Sequence, residues 1–306
     1  MVVFNPMKAT LFTIIRVLIS AALLAFVVFQ IGIVNIVKTF TSIRPSYLPP
    51  VIALYCVTLL LGGGRLWTLL KPIKKDIPAT RVLVYSVLSW AVGLFTPGNL
   101  GEFSLIRLLS SEGIEISRGM AVLLIDKAIL LSTLVIIPGL GMFILFDFRH
   151  VFYIFFGLVA LFSIVWFAFR YLVYFKSGRI GELIKNIKSL STEFLRHHKS
   201  LLLTNFILII LKWCITGSAI TIIFVSLGIS SNVFLVTLIS MTIILVNIIP
   251  VTFHGLGLKE IAAIYLYGLI GIPEDVAVVA SLFFSIVAYS FGLTIIMSLG
   301  SRFHRN

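Results

Sequence analysis

Long hydrophobic runs separated by short polar loops dominate the chain. The longest runs cover about 10–34, 47–70, 118–146, 151–175, 201–227 and 274–299, and shorter ones cover 82–96, 98–111, 232–249 and 254–269. A transmembrane helix needs about 20 consecutive apolar residues, so each long run can cross a bilayer. The pattern therefore predicts an all-α polytopic membrane protein with about eight to ten hydrophobic segments.

Composition agrees with this fold class. Of 306 residues, 60% are hydrophobic and only 11% are charged, and the mean hydropathy is +1.16. Soluble domains are about half apolar and a quarter charged, so an ordinary soluble protein and a disordered chain are both excluded. Cys56 and Cys214 both lie in apolar runs, which argues against a disulfide framework and a cysteine-rich metal site.

The positive charge indicates how the chain is oriented in the membrane. The net charge is +13, and basic residues concentrate in the loops 71–81 and 176–199. Such loops favour the cytoplasmic side and its anionic lipids, so we expect no nucleic-acid partner. Lys8, Arg302 and Arg305 place both termini in the cytoplasm of a multi-pass plasma-membrane protein. Within 176–199, apolar residues recur at helical spacing, which predicts an amphipathic helix on the membrane surface.

Two halves of the sequence correspond. Glu102 precedes Gly113-Ile114 by the same interval that separates Glu260 from Gly271-Ile272, and a proline and two glycines lie just before or beside each glutamate. We predict a single transmembrane domain over 1–306, with repeat unit one at about 47–146 and repeat unit two at about 201–300. The linker 147–200 carries the basic amphipathic helix.

Each half also contains a pair of segments too short to span comfortably. The 14 residues of 98–111 form roughly 21 Å of helix, against a bilayer core of about 30 Å. Pro97-Gly98 and Pro250 break the backbone beside these segments, and broken backbone at membrane depth is tolerated where it lines a cavity. Because the basic loops must face the same side, the two units are predicted to be inverted repeats with re-entrant or short broken helix pairs.

Ionisable residues inside the hydrophobic runs are costly and therefore mark a functional site. The candidate substrate-binding residues are Arg65, Glu102, Arg107, Asp126, Lys127, Lys212, Lys259 and Glu260. Cations exceed acids in this set, which suits an anionic head group such as a phosphate held by a bidentate arginine. We expect Asp126 and Lys127 each to meet a charge from the short helices. No motif indicates a metal, a cofactor or ATP.

Several of these residues carry a family resemblance. The run Pro97-Gly98-Asn99-Leu100-Gly101-Glu102, the pair Asp126-Lys127, Arg65-x-Trp67, and Gly255-Leu256-Gly257 with Glu260 resemble the lysylphosphatidylglycerol synthase transmembrane-region family. That family includes the flippase part of the bacterial multiple peptide resistance factor and stand-alone proteins. The resemblance implies movement of a lipid such as aminoacylated phosphatidylglycerol between leaflets.

The sequence departs from the family pattern in ways that leave the substrate open. It carries no aminoacyltransferase domain, Asp126-Lys127 replaces an expected Glu-Arg, and the closing span lacks an expected basic residue. We predict a lipid flippase or transporter, not an enzyme, that moves a phospholipid or a polyprenyl-phosphate-linked lipid. The alternatives are a membrane-embedded transferase for a lipid-linked substrate and an assembly partner of a separate synthase or glycosyltransferase. A homo-oligomer also stays open.

Overall fold

A computed structural model describes residues 6–96, 101–145, 179–247, 252–253 and 255–303. The predicted breaks at Pro97-Gly98 and Pro250 and the predicted span 151–175 lie outside these residues. Within the described part of the chain every regular element is helical, as predicted. The protein is an all-α polytopic membrane protein.

Eleven α-helices are present among the described residues. They are α1 (Pro6–Ile31), α2 (Ile33–Thr41), α3 (Leu48–Leu70), α4 (Ala79–Leu94), α5 (Ser104–Ser111), α6 (Ile116–Leu145), α7 (Arg179–His197), α8 (Lys199–Ser226), α9 (Val233–Asn247), α10 (Leu258–Gly268) and α11 (Glu274–Phe303). A short 3₁₀ turn at Pro45–Tyr47 leads into α3.

Five of the described helices are long and apolar enough to cross a membrane. These candidate spans are Ile14–Ile31, Pro45–Leu70, Ile116–Gly141, Lys199–Ser226 and Glu274–Leu299. The helices α4 and α9 are apolar but shorter. They correspond to the short segments 82–96 and 232–249 predicted from the sequence. Length alone therefore separates the spanning helices from the short ones.

The first hydrophobic run forms two helices instead of one. Gly32 has a φ of 88°, a left-handed conformation that glycine adopts without steric cost. The chain therefore leaves α1 at Ile31 and begins α2, a nine-residue helix with Ile36 buried and Lys38 exposed. Thr39 in α2 donates a hydrogen bond of 2.5 Å to Asp275 at the start of α11.

Contacts divide the chain into two compact units. Unit 1 comprises residues 1–58, 87–102 and 213–306, and unit 2 comprises residues 59–86 and 103–212. Both sequence repeats contribute segments to unit 1, so the predicted repeats do not coincide with the compact units. The duplication itself stays a prediction.

Unit 2 has a hydrophobic core built by α3, α5, α6 and α7. Leu69 and Leu70 of α3, Leu109 of α5 and Val122 of α6 are almost completely buried, and Phe194 of α7 packs with them. Phe194 and the partly buried Leu190 thus pack on protein in the second half of α7, whereas Lys185, Lys188 and Arg196 are exposed. The predicted helix is present, and these two apolar residues pack within unit 2.

Unit 1 has its own core, in which α10 packs against α1, α9 and α11. Tyr267 of α10 meets Phe224 edge to face, with ring centroids 5.1 Å apart. Its hydroxyl lies 2.9 Å from the Ser240 hydroxyl of α9, because a buried tyrosine hydroxyl needs a polar partner. These contacts hold the short helices α9 and α10 together.

Candidate functional site

A buried ion pair lies inside unit 2. The Nη2 atom of Arg65 on α3 is 2.8 Å from Oδ2 of Asp126 on α6. Asn205 on α8 donates its side-chain amide to Oδ1 of Asp126 at 3.2 Å and to the Arg65 carbonyl at 3.3 Å. All three side chains are buried. Three helices therefore fix one guanidinium, one carboxylate and one amide in a low-dielectric environment.

The guanidinium of Arg65 is only partly used by this arrangement. Its Nε and Nη1 atoms are buried and have no hydrogen-bond partner among the described residues. Buried donors without acceptors cost free energy, so native structures almost always pair them. A planar guanidinium presents its donors as a fork that matches a carboxylate or phosphate. The unused donors of Arg65 thus have the chemistry of an anion site.

Small residues before Arg65 let its helix approach a neighbour. A Cβ atom added to Gly63 would lie 2.8 Å from the Cα atom of Leu83 on α4, closer than real side chains come. Gly63 thus allows close backbone packing, as small residues do in membrane helices, whereas an added Cβ atom at Gly62 or Gly64 would have nothing within 4 Å. This contact with α4 holds in place the turn of α3 that carries Arg65.

The expectation that Asp126 meets a charge from a short helix is wrong. Its partner is Arg65 on the long helix α3. Adjacent residues on a helix point about 100° apart, and Lys127 is half-buried on α6. In unit 2, Arg107 is exposed on α5 and Lys212 is half-buried on α8.

The second half of the sequence provides a different polar cluster, inside unit 1. Glu260 on α10 is fully buried, and its Oε2 accepts the backbone N–H of Gly257 at 2.7 Å. Ser281 on α11 donates to Oε1 at 2.9 Å, and Nζ of Lys259 lies 3.9 Å from the same oxygen. Glu260 therefore caps α10, while Glu102 lies half-buried in the turn before α5.

A third cluster, which the sequence did not indicate, ties α4 to the end of α5. The carboxylate of Glu112 accepts two hydrogen bonds from Arg81, at 2.8 and 3.0 Å, and one from the Tyr85 hydroxyl at 2.6 Å. Lys74 donates to the Glu112 carbonyl. We call these four residues the Glu112 latch. It joins the basic loop and the first turns of α4 to the residue that ends α5.

The Glu112 latch is expected to respond to acid. Burial alone would raise the pKa of Glu112, but hydrogen bonds from Tyr85 and Arg81 and the charges of Arg81 and Lys74 outweigh it and lower this pKa. A lowered pKa stabilises the fold above the ordinary glutamate pKa, and this stability is lost as pH falls through the lowered value. Thermal unfolding of wild type should show this loss, whereas Glu112→Gln should not.

The expected difference in acid sensitivity between wild type and Glu112→Gln is small. Arg81 is 53% exposed, and an exposed ion pair contributes little because water and salt screen it. A Glu115→Gln variant is the matched control, since Glu115 is an exposed acid nearby. Equal acid sensitivity in Glu112→Gln and wild type would contradict the assigned role of Glu112.

Three polar residues that contact the candidate site residues were not predicted from the sequence, although each gives a weak indication there. Asn205 is a single amide within the apolar run of α8, and Ser281 and Ser285 lie four residues apart on one face of α11. Small polar residues are common in membrane helices, where they join neighbouring helices. The sequence alone could not indicate which of them meets a charge.

The fold and these buried clusters define a class: a multi-pass helical membrane protein with ionisable groups held between its helices. The sequence profile described as "Lysylphosphatidylglycerol synthase TM region" matches residues 13–296. Nearly the whole chain is covered, so the protein belongs to this family. The family indicates a function related to membrane lipids. A search of the curated proteins gives no match.

Proposed function

We propose that this protein is a flippase, which moves a phosphate-bearing lipid between the two leaflets without changing it chemically. The observation that carries the proposal is the buried Arg65 guanidinium, which keeps two donor atoms without partners among the described residues. Family membership supports a membrane lipid as the ligand. Among lipid head groups, a phosphate presents the oxygens that such a guanidinium binds best.

Asp126 and Asn205 support this role for Arg65. The carboxylate lowers the cost of burying the guanidinium when no lipid is bound. It occupies Nη2 only, so the arginine can keep this partner while Nε and Nη1, on different sides of the guanidinium, each keep a donor for an anionic oxygen. Asn205 holds both the carboxylate and the backbone of Arg65. A preorganised donor pair of this kind loses little entropy when the ligand arrives.

The charge balance of unit 2 also favours an anionic ligand. Among the predicted site residues, unit 2 holds Arg65, Arg107, Lys127 and Lys212 but one acid, Asp126. Ionisable residues inside a membrane protein mark sites for charged ligands, and this excess of cations attracts a phosphate rather than a cationic head group. We propose that the other three cations guide the head group toward Arg65.

The short helices fit alternating access. The Glu112 latch joins the start of α4 to the end of α5, which supports a hairpin that re-enters on one side of the membrane. In unit 1, the Ser240–Tyr267 contact similarly joins α9 and α10. We propose that these two pairs are the moving parts of inverted repeats, as in other transporters.

The proposed orientation places the outer face of α7 at the cytoplasmic leaflet of the plasma membrane, with both termini in the cytoplasm. The exposed Lys185, Lys188 and Arg196 support this orientation, because anionic lipids attract basic residues at about 1 kcal/mol each. Phe194 and Leu190 of α7 pack on unit 2, so the exposed basic residues provide the proposed attraction to the lipid.

Substitution of Arg65 tests the proposed function. In vesicles with fluorescent phosphatidylglycerol, the outer-leaflet fraction can be followed by quenching with dithionite. The Arg65→Lys variant keeps the positive charge at this position and can still pair with Asp126. Its ammonium group lacks the planar guanidinium donors that bind a phosphate. We expect lipid movement to slow by about tenfold to a hundredfold, equivalent to losing a charge-assisted hydrogen bond of about 1.5–3 kcal/mol.

Arg118→Lys is the matched control, because Arg118 is mostly exposed and lies outside the proposed site and the proposed moving helices. This variant should move lipid at nearly the wild-type rate. Equal rates for Arg65→Lys and Arg118→Lys would contradict the proposed phosphate site. Mass spectrometry of the recovered lipid separates the alternative, since a chemically altered lipid would favour a transferase.

A further inference from the structure

The Lys259–Glu260 cluster of unit 1 differs from an ordinary buried ion pair. Its two charged groups do not share a hydrogen bond, because Nζ of Lys259 is 3.9 Å from Oε1 of Glu260 and charged hydrogen bonds are about 2.7–2.9 Å long. Lys259 instead donates to the Ser285 hydroxyl at 2.5 Å. The lysine is therefore bound to a neutral group, with the carboxylate nearby.

The carboxylate of Glu260 has donors of its own. Gly257 N–H and the Ser281 hydroxyl bind its two oxygens. Neither hydrogen bond involves Lys259, and the first of them caps α10. Both bonds, and the helix cap, can therefore remain whether Lys259 is an ammonium or a neutral amine.

Ser285 can serve both forms of the lysine. Its hydroxyl donates to the Ser281 carbonyl at 2.8 Å, which leaves its oxygen free to accept a hydrogen bond from Lys259. An ammonium and a neutral amine both have an N–H to donate. Loss of a proton from Lys259 therefore breaks none of the hydrogen bonds that hold the cluster.

Exposure gives the lysine, not the glutamate, a route for proton exchange. The side chain of Lys259 is 13% exposed, whereas that of Glu260 is 0% exposed. Lysine is also the residue whose protonation changes most readily on burial. A proton can leave Nζ at its exposed edge while the nitrogen keeps the electron pair of the broken N–H bond.

The other elements packed against α10 contribute few titratable groups. On α11, Tyr289 lies one turn beyond Ser285. On α1, Arg16 is buried one turn before Ser20, which accepts the Phe253 N–H. The described side chains of α9 include no ionisable group. Tyr267 on α10 itself binds Ser240.

We propose that Lys259 is a proton-exchange site, with Glu260 as its fixed counter-charge, and that its deprotonation is coupled to lipid movement. The coupling rests on the proposed flippase function, but the proton site does not. One proton leaves the ammonium for water when the lysine becomes neutral, and one returns when it recharges. This change alters the net charge inside unit 1 by one unit, which biases the conformations that transport requires.

Nitrogen NMR on the full chain in lipid nanodiscs tests the proton site without any transport. With ¹⁵N-labelled lysine, the Lys259 resonance is the one missing from Lys259→Arg. We expect it to move between ammonium and amine positions as pH rises. Glu260→Gln should shift that transition to lower pH, because the opposite charge favours the ammonium. A resonance that stays at the ammonium position while the protein remains folded would overturn the proposal.

Vesicles with an imposed pH gradient test the coupling. Movement of fluorescent phosphatidylglycerol by wild type and by the control Lys185→Met, a change at an exposed residue of α7, should respond to the gradient. Lys259→Met should move the lipid equally fast with and without it. A wild-type gradient response in Lys259→Met would overturn the coupling. If wild type moves no lipid while Lys259 titrates, the proposed function fails and the proton site stands.

Discussion

Replacement of Asp126 by alanine is expected to lower the free energy of unfolding by about 3–5 kcal/mol, the usual cost of removing one partner from a buried ion pair. Asp126 and Arg65 are both buried, and their side chains are 2.8 Å apart. The variant would leave the Arg65 guanidinium charged, desolvated and without its carboxylate. Asn205 would also lose the acceptor that it binds on α6.

Denaturation in mild detergent, monitored by the circular dichroism of the helices or by aggregation, measures this loss of unfolding free energy. Replacing both partners separates the stability of the pair from its function. Arg65→Met with Asp126→Leu removes both charges and keeps apolar volume, and such exchanges are often neutral or stabilising. We expect the double variant to regain most of the lost stability but to move no phosphate-bearing lipid.

Two outcomes would contradict this account of the pair. A stable Asp126→Ala variant would mean that the guanidinium finds another anion or is not buried in the membrane. Lipid movement at the wild-type rate in the double variant would show that the Arg65–Asp126 pair is structural. Glu115→Ala is a suitable control for the single change, since it removes an exposed acid and should cost little.

Hydropathy alone located the long helices well. The run 47–70 forms α3 over Leu48–Leu70, and 201–227 forms α8 over Lys199–Ser226. A membrane helix must satisfy all its backbone groups internally, so a long apolar run has one regular solution. The exception is Gly32, where the first run divides into two helices. Hydropathy cannot detect that break, because it depends on one glycine adopting a positive φ.

Side-chain partners were harder to predict than helices. The sequence identified Arg65 and Asp126 as costly charges but did not pair them, because 60 residues and several helices separate them in the chain. Helical periodicity gives the face of one helix and says nothing about which neighbour covers it. Glu112 was not predicted as a site residue because it does not lie inside a hydrophobic run. An acid at the end of a helix, near a basic loop, is common, and only its partners distinguish it.

The amphipathic helix shows the same limit. Its period was predicted correctly, but an apolar face can be covered by lipid or by protein, and periodicity is identical in the two cases. Phe194 is almost completely buried among unit 2 side chains, so protein covers this position of the face. The orientation that the basic residues indicate stays a prediction.

Gly257→Ala is expected to destabilise the protein by about 2–5 kcal/mol. The glycine has a φ of 84°, and a left-handed conformation costs other residues about 1–2 kcal/mol. An added Cβ atom would also lie 2.5 Å from Cβ of Leu23 on α1. Relieving such a contact in a packed region costs typically about 1–3 kcal/mol more, and the shift would disturb the Gly257 N–H that binds Glu260.

Gly228→Ala provides the matched control for this prediction. Gly228 has nearly the same φ, 82°, but nothing lies within 4 Å of its added Cβ atom. The control should therefore show only the conformational cost, and the difference between the two variants measures the close approach of α1 to the start of α10. Equal unfolding free energies for the two variants would mean that α1 does not pack against Gly257. A larger loss at Gly257 would instead confirm that α1 closely approaches the residue at the N-cap of α10.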